Sequence, residues 1–323
     1  MSRKINIVVL GCANIAERFI MPSLKELSDN FNLVGIASRA KVKADEFANR
    51  FETQAYYSYK SILEHDELDA VYIPLPNSLH YEWIKKSLEK NLHVLVEKSM
   101  SCNYDEVLEL NNIAKEKNLV LIENFQFRFH SQLKYIKDLV DSGKIGRLRN
   151  IRSSFGFPPF SDKGNIRYSK ELGGGALLDA GAYTLKISQI FMGDDISVDT
   201  SHLKFDKDNH IDIYGSASLS QNNGDIVSQV SFGFDNYYQC NIELWGSKGK
   251  IYTNRIFTPP PGYTPLIELE TQDGKDIIQL EKDNHFLNML KYFYNKIVTK
   301  DSMENEYKDN INQARLINEI KGN

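Results

Sequence analysis

In the stretch ELGGGALLDAGAYTLKISQI, residues 171–190, two polar side chains stand apart from their neighbours: Asp179 and Tyr183. Helical spacing puts this carboxylate and phenol on one face, one turn apart. A phenol of ordinary pKa, about 10, exchanges protons poorly at neutral pH, but a nearby ammonium stabilises the phenolate and brings it into range. Lys98, at the end of the apolar run LHVLVEKSM, is the candidate ammonium. Tyr183 assisted by Lys98 can protonate the alkoxide that forms when hydride reaches a ketone. Asp179 would then orient the substrate or Lys98. The residues leave one alternative open, that Tyr183 is a core tyrosine bonded to a buried Asp179. Gly173, Gly174 and Gly175 would let the start of the helix approach a flat ligand with no Cβ in the way.

A hydride donor needs a binding site, and IVVLGCANIAERF suggests one. Gly11, Ala13 and Ala16 occupy the three glycine positions of GxGxxG, between a strand ending at Leu10 and a helix expected from Asn14. Small residues there let backbone amides meet a pyrophosphate. The second strand ends in IASRA, with Ser38 and Arg39 at its tip and Lys43 one turn further on. An acidic residue at that tip would select NAD; a hydroxyl and two cations suit a 2′-phosphate, so NADP(H) is preferred. Further cofactor contacts are expected from Ile15, from Pro74, Leu75, Asn77 and His80 in IPLPNSLHYEW, from Glu97 and Lys98, from Asn124, and from Arg167. His80 reads equally as a ribose contact or a helix-cap partner.

These groups need a scaffold. Up to about Asn124, short apolar runs (Ile5–Leu10, 33–37, Ala70–Ile73, 93–96, 119–122) alternate with amphipathic stretches such as 81–89 and 105–117. That alternation predicts an α/β, doubly wound parallel sheet, a Rossmann domain over 1–124. Beyond it a helix (131–142) and a long β-like segment (148–157) lead to the glycine-rich helix. Strand candidates then cluster between Ser197 and Leu280, including a hairpin at Asn222-Asn223-Gly224 and a turn in WGSKGKIYT. Helical stretches 284–297 and 305–320 close the chain. Residues 125–323 therefore read as an α+β domain for substrate binding and oligomerisation, with a large, mostly antiparallel open sheet.

Composition narrows the class. With 323 residues the chain suits two domains, and a net charge of −4 without basic blocks argues against nucleic-acid binding. The apolar runs are too short to span a bilayer, and the N-terminus carries no signal-peptide pattern. Cys12, Cys102 and Cys240 are few and scattered, which fits a reducing, cytoplasmic compartment. No metal-ligand spacing occurs.

Taken in order, GCANIAERF, ASR, IPLPNSLHYEW, HVLVEKSM, ENFQFRFHSQ, GGGALLDAGAY and WGSKGKI resemble the Gfo/Idh/MocA oxidoreductases over nearly the whole chain. The resemblance implies a Rossmann domain followed by an α+β domain. Two departures bear on the site. The family's Glu-Lys-Pro is Glu97-Lys98-Ser99 here, which would loosen the loop. Tyr183 stands where the inositol dehydrogenase branch has histidine. GNIRYSKELGGGALLDAGAY and RIFTPPPGYTP further resemble the NDP-hexose 3-ketoreductase branch, which implies a nucleotide-linked 3-keto-deoxyhexose as substrate.

Such a substrate needs cations for its diphosphate and aromatic surface for its base. Arg128, Arg152, Lys163 and Arg167 are the cation candidates, and Phe157, Phe160, Tyr168, Tyr237 and Tyr263 the apolar ones. Pro259–Pro261 makes a stiff loop that either walls the cleft or crosses the surface. An exposed sheet face would be covered in a homodimer or homotetramer. The rival readings are an NADP-dependent dehydrogenase of free sugars or dihydrodiols, a non-catalytic cofactor-binding regulator, and a glycosidase with tightly held NAD. Arg39 speaks against the last.

Overall fold

A computed structural model describes residues 3–162, 164–208 and 210–322. The chain divides into two compact units, one formed by 1–124 with 286–311, the other by 125–285 with 312–323.

The first unit is a six-stranded parallel sheet: β1 (Ile5–Leu10), β2 (Phe31–Ala37), β3 (Gln54–Tyr56), β4 (Ala70–Ile73), β5 (His93–Glu97) and β6 (Leu121–Asn124). Their order is β3-β2-β1-β4-β5-β6, so strand order reverses between β1 and β4. Crossovers run through α1 (Met21–Glu26), α2 (Lys41–Phe51), α3 (Tyr59–Leu63), α4 (Asn77–Glu89) and α5 (Tyr104–Glu116). Strands β4 and β6 are buried at every position, as apolar runs covered on both faces must be. Caps follow local chemistry: Asn103 accepts from the Asp105 and Glu106 amides at the start of α5, and Ser58 from that of Ser61 at the start of α3.

The second unit opens with α6 (Ser131–Asp141) and holds an eight-stranded sheet. Its strands are β7 (Leu148–Gly156), β8 (Ile196–Phe205), β9 (Asp212–Gln221), β10 (Val227–Gly233), β11 (Gln239–Gly246), β12 (Gly249–Asn254), β13 (Leu266–Thr271) and β14 (Gly274–Gln279). The order is β14-β13-β12-β11-β7-β10-β9-β8, and every neighbouring pair is antiparallel except β7 with β10. Between β7 and β8 runs α7 (Ala182–Met192), preceded by a π-helical turn over Leu177–Gly181. One sheet face is apolar and buried, with Ile151, Phe155, Val230, Phe232, Ile242 and Leu244, and α7 packs on β7 and β10.

Helices α8 (His285–Thr299) and α9 (Glu304–Gly322) end the chain. Residues 286–311 complete the first unit, where the Tyr307 hydroxyl donates to the Leu119 carbonyl at 2.6 Å and Asn310 Nδ2 donates to Asn111 Oδ1 at 3.0 Å. Residues 312–322 belong to the second, where Gln313 Nε2 donates to the Ala182 carbonyl at 2.9 Å. Apolar alternation carries no signal for this return, because a helix's partner sheet is chosen by packing and not by its own periodicity.

Candidate active site

In the first unit the expected cofactor residues gather at the carboxyl edge of the parallel sheet, where doubly wound folds bind ligands beside a strand-order reversal. Gly11 takes φ +123°, and a Cβ there would meet Leu75 Cδ2 at 2.8 Å, so the tight turn after β1 requires glycine. Helical backbone begins at Asn14 and runs through a π turn over Ala16–Ile20. At the tip of β2 the Ser38 hydroxyl accepts from the Ala40 amide at 3.1 Å, while Arg39 and Lys43 are exposed. Arg39 donates to the Tyr59 hydroxyl, and burial raises the pKa of that phenol although Arg39 opposes the shift. Among the described residues 38–43 there is no carboxylate, which fits a dianionic phosphate better than a ribose hydroxyl pair.

After β4 and β5 come two short loops. Pro74 and Leu75 are buried and Asn77 is half-buried at the start of α4. His80 is fully buried, with Nδ1 2.7 Å from the Ser99 carbonyl and Nε2 2.7 Å from that of Leu75. Two carbonyls favour the imidazolium, but desolvation outweighs them and lowers the pKa from 6.5 to about 4. The neutral ring donates to one carbonyl only. His80 is thus neither a helix cap nor a residue with a ring nitrogen left for ribose: it bridges the loops after β4 and β5. Ser99 is 1% exposed, so the loosening expected from the lost proline is countered by burial and by this bridge. The Lys98–Ser99 peptide is cis. Glu97 Oε1 accepts from the Tyr72 hydroxyl and from Asn124 Nδ2, both at 2.7 Å. Asn124 is fully buried and its Oδ1 has no hydrogen-bond partner among the described residues, which leaves an acceptor at this edge.

The second unit presents the other half of the expected chemistry. Tyr183 is 4% exposed and ringed by Phe125, Phe127, Phe155 and Phe257, with centroids 5.2–5.8 Å away. Gln126 Nε2 donates to its hydroxyl at 3.1 Å, and that hydroxyl reaches Gln126 Oε1 at 3.3 Å. Asp179 Oδ2 accepts from Arg167 Nε at 2.5 Å, and Asp179 is the main cause that holds Arg167 more firmly protonated than usual. The Arg167 guanidinium also lies over the Phe160 ring at 5.0 Å. Phe157 stacks on Phe234 at 5.3 Å, and the Tyr168 hydroxyl accepts from the Phe160 amide at 3.0 Å. Arg167, Asp179, Phe157, Phe160 and Tyr168 therefore belong to one continuous cluster.

Other candidates fall elsewhere. Arg152 alternates with the buried Ile151 and Ser153 and so points to the opposite sheet face, its guanidinium 3.9 Å over the Trp245 ring and its Nε donating to Gln229 at 3.2 Å. That position removes it from the phosphate candidates. Tyr237 is 87% exposed in the connection between β10 and β11, a poor stacking surface as it stands. The Tyr263 hydroxyl donates to Asn254 at 3.0 Å. Arg128 is half-buried with its guanidinium 5.5 Å over Phe129. Lys163 lies outside the described residues.

The glycines before the helix serve the protein's own packing. A Cβ on Gly174 would meet the Arg167 carbonyl oxygen at 2.4 Å, and one on Gly175 the Asp212 carboxylate at 2.2 Å. At Gly174 and Gly175 this internal reason stands beside the expected approach to a flat ligand. Sequence reading missed Gln126, Tyr72 and Tyr59 as partners of Tyr183, Glu97 and Arg39. Gln126 sits in the ENFQFRFHSQ motif, the one available signal.

Residues 5–125 match the oxidoreductase family with NAD-binding Rossmann fold, and residues 133–252 match the GFO/IDH/MocA C-terminal domain. The dTDP-3,4-didehydro-2,6-dideoxy-alpha-D-glucose 3-reductase of Actinomadura kijaniata is 35% identical over 98% of this chain and 95% of its own length. The enzyme of the same name from Saccharopolyspora spinosa is 38% identical over 88% and 85%. A crystal structure of a 3-ketoreductase from Actinomadura kijaniata, in complex with NADP and TDP-benzene, superposes with a TM-score of 0.95 at 35% identity, covering 99% of this chain and 98% of that one. With both halves matched and relatives alike from end to end, the chain belongs to the Gfo/Idh/MocA oxidoreductase family.

Proposed function

We propose that the protein is an NADPH-dependent reductase of a nucleotide-linked 3-keto-deoxyhexose, with a dTDP sugar as the first candidate. The observation that carries this reading is end-to-end similarity to two enzymes named as dTDP-sugar 3-reductases. The residues present fit the cofactor. Gly11, Ala13, Asn14 and Ile15 form the pyrophosphate turn, and Ser38, Arg39 and Lys43 meet the 2′-phosphate. Pro74, Leu75, Asn77, Glu97 and Asn124 line the carboxyl edge. NADPH bound there supplies the hydride. Tyr183 gives a proton to the ketone oxygen, so that C=O becomes CH–OH, and Lys98 stabilises the phenolate left behind. Arg167 holds Asp179 in place to orient the sugar, and Arg128, Phe157 and Tyr263 contribute to substrate contact.

The protein then assembles through the outer face of its eight-stranded sheet, where Tyr214, Val227, Trp245, Leu266 and Ile277 are 37–65% exposed. Replacing Trp245 by Glu should lower the mass measured by light scattering; an unchanged mass would place the interface elsewhere. Among the described residues no helix is long and apolar enough to cross a membrane. Cys12, Cys102 and Cys240 form no disulfide among the described residues, which fits the cytoplasmic reading.

The substrate class is tested by thermal shift with saturating NADP⁺ and dTDP, UDP, GDP or CDP added singly. A ligand at a hundred times its Kd adds roughly 2.7 kcal/mol, several degrees in the midpoint. One nucleotide standing out identifies the base. No response to any of them would sink the nucleotide-sugar reading and favour free sugars or diols.

A further inference from the structure

We propose that Asp212 is a positioning residue for this reduction: its carboxylate, from the first residue of β9, fixes the start of the helix that carries Asp179 and Tyr183. The inference rests on the reductase reading for its kinetic consequence, and on geometry for the rest. The first amides of a helix need acceptors, which a Ser, Thr, Asp or Asn at the N-cap ordinarily supplies. Here the residue at that place is Ala176, and no local side chain caps the turn. Nor is there room for one just before it. Gly174 is pressed against the Arg167 and Ser169 carbonyls, and Gly175 has φ +115°.

The cap comes instead from 35 residues downstream. The Leu177 amide donates to Asp212 Oδ2 at 2.5 Å, and the Ala176 amide donates to the same carboxylate. The missing Cβ of Gly175 is what lets Asp212 Oδ1 close in. An anion at this end is also favoured by the helix dipole. Asp179 follows the second capped amide by two residues and Tyr183 by six, through the π turn at 177–181, so the anchor fixes where both side chains emerge. Lys321 on α9 is the cation that faces Asp212; burial opposes the charge and raises the carboxyl's pKa, against the pull of the amides and Lys321. Nothing in the sequence around 212 signals this role.

The test compares wild type, Asp212→Asn and Asp212→Ala by steady-state reduction, melting and amide hydrogen exchange over 175–183. The amide of Asn keeps an acceptor at nearly the same place. In Asp212→Ala, exchange over 175–183 should quicken and kcat fall roughly ten- to a hundred-fold, with KM for NADPH unchanged. Asp212→Asn should recover most of the lost kcat. Unchanged exchange in Asp212→Ala would overturn the proposal, and so would quickened exchange with an unchanged kcat for the folded protein. If the alanine variant does not fold, the asparagine variant decides: exchange over 175–183 and kcat that change together, or both stay near wild type, support positioning, and a change in one without the other refutes it. A wild type that reduces no keto sugar would fail the reductase reading alone, since the exchange comparison still reports on the cap.

Discussion

At the scale of residues, the roles assigned to Tyr183 and Arg39 can be separated by kinetics. Tyr183→Phe keeps the aromatic packing and loses the hydroxyl, whose partners include Gln126. It should lower kcat by roughly a hundred- to ten-thousand-fold, the range of a lost general acid, with little change in KM for NADPH. A loss below tenfold would return Tyr183 to the rank of a core residue. Tyr59 is less obvious, because its phenol would serve the cofactor through Arg39, the charge beside it. Tyr59→Phe should raise KM for NADPH by roughly tenfold, the equivalent of about 1.4 kcal/mol, and leave KM for NADH unchanged. Equal effects on both cofactors would mean that Tyr59 supports the fold and not 2′-phosphate selection.

At the scale of elements, the start of the glycine-rich helix is decided by collisions and not by propensity. Gly175→Ala must place a side chain at φ +115° and push the Asp212 carboxylate aside, so it should destabilise the protein by more than about 1 kcal/mol. Gly143, with φ +72° and no atom within 4 Å of a built Cβ, is the control. Its alanine variant carries the backbone cost alone, and calorimetric midpoints compare the two. A Gly175→Ala midpoint no lower than that of Gly143→Ala would remove the collision from the account. The tip of β2 behaves differently, because Arg39 and Lys43 are exposed and their types alone state the preference for a phosphate.

At the scale of the whole molecule, pH sensitivity follows from buried imidazoles. His80 has a folded pKa lowered from 6.5 to about 4 by desolvation. The unfolded chain therefore binds the proton first as pH falls. The stability that neutral His80 contributes is complete above pH 6.5 and is lost progressively down to about pH 4. The loss for one such group is on the order of 3 kcal/mol. His93 and His285 are lowered to about 4 and about 3, with the same sign. Melting temperature should fall across this window, and less steeply in His80→Gln. Equal slopes in the two proteins would show that His80 is already charged in the fold, held by its two carbonyls.

The sequence by itself determined what is local. Apolar runs of four to six residues separated by amphipathic stretches specify a parallel sheet with crossover helices, and β4 begins and ends where the AVYI run does. Spacing of four places Asp179 and Tyr183 on one helical face, and the absence of an acid in IASRA marks the phosphate preference. Tertiary structure alone decided what depends on partners distant in the chain. Arg167 meets Asp179 across 12 residues, Gln126 meets Tyr183 across 57 and Asp212 meets Leu177 across 35. The turn of Arg152 to the outer sheet face and the return of 286–311 to the first unit belong to the same class. Periodicity is a property of one segment and survives in the sequence. Register and packing are chosen between segments, and a residue's own neighbours in the chain do not encode them.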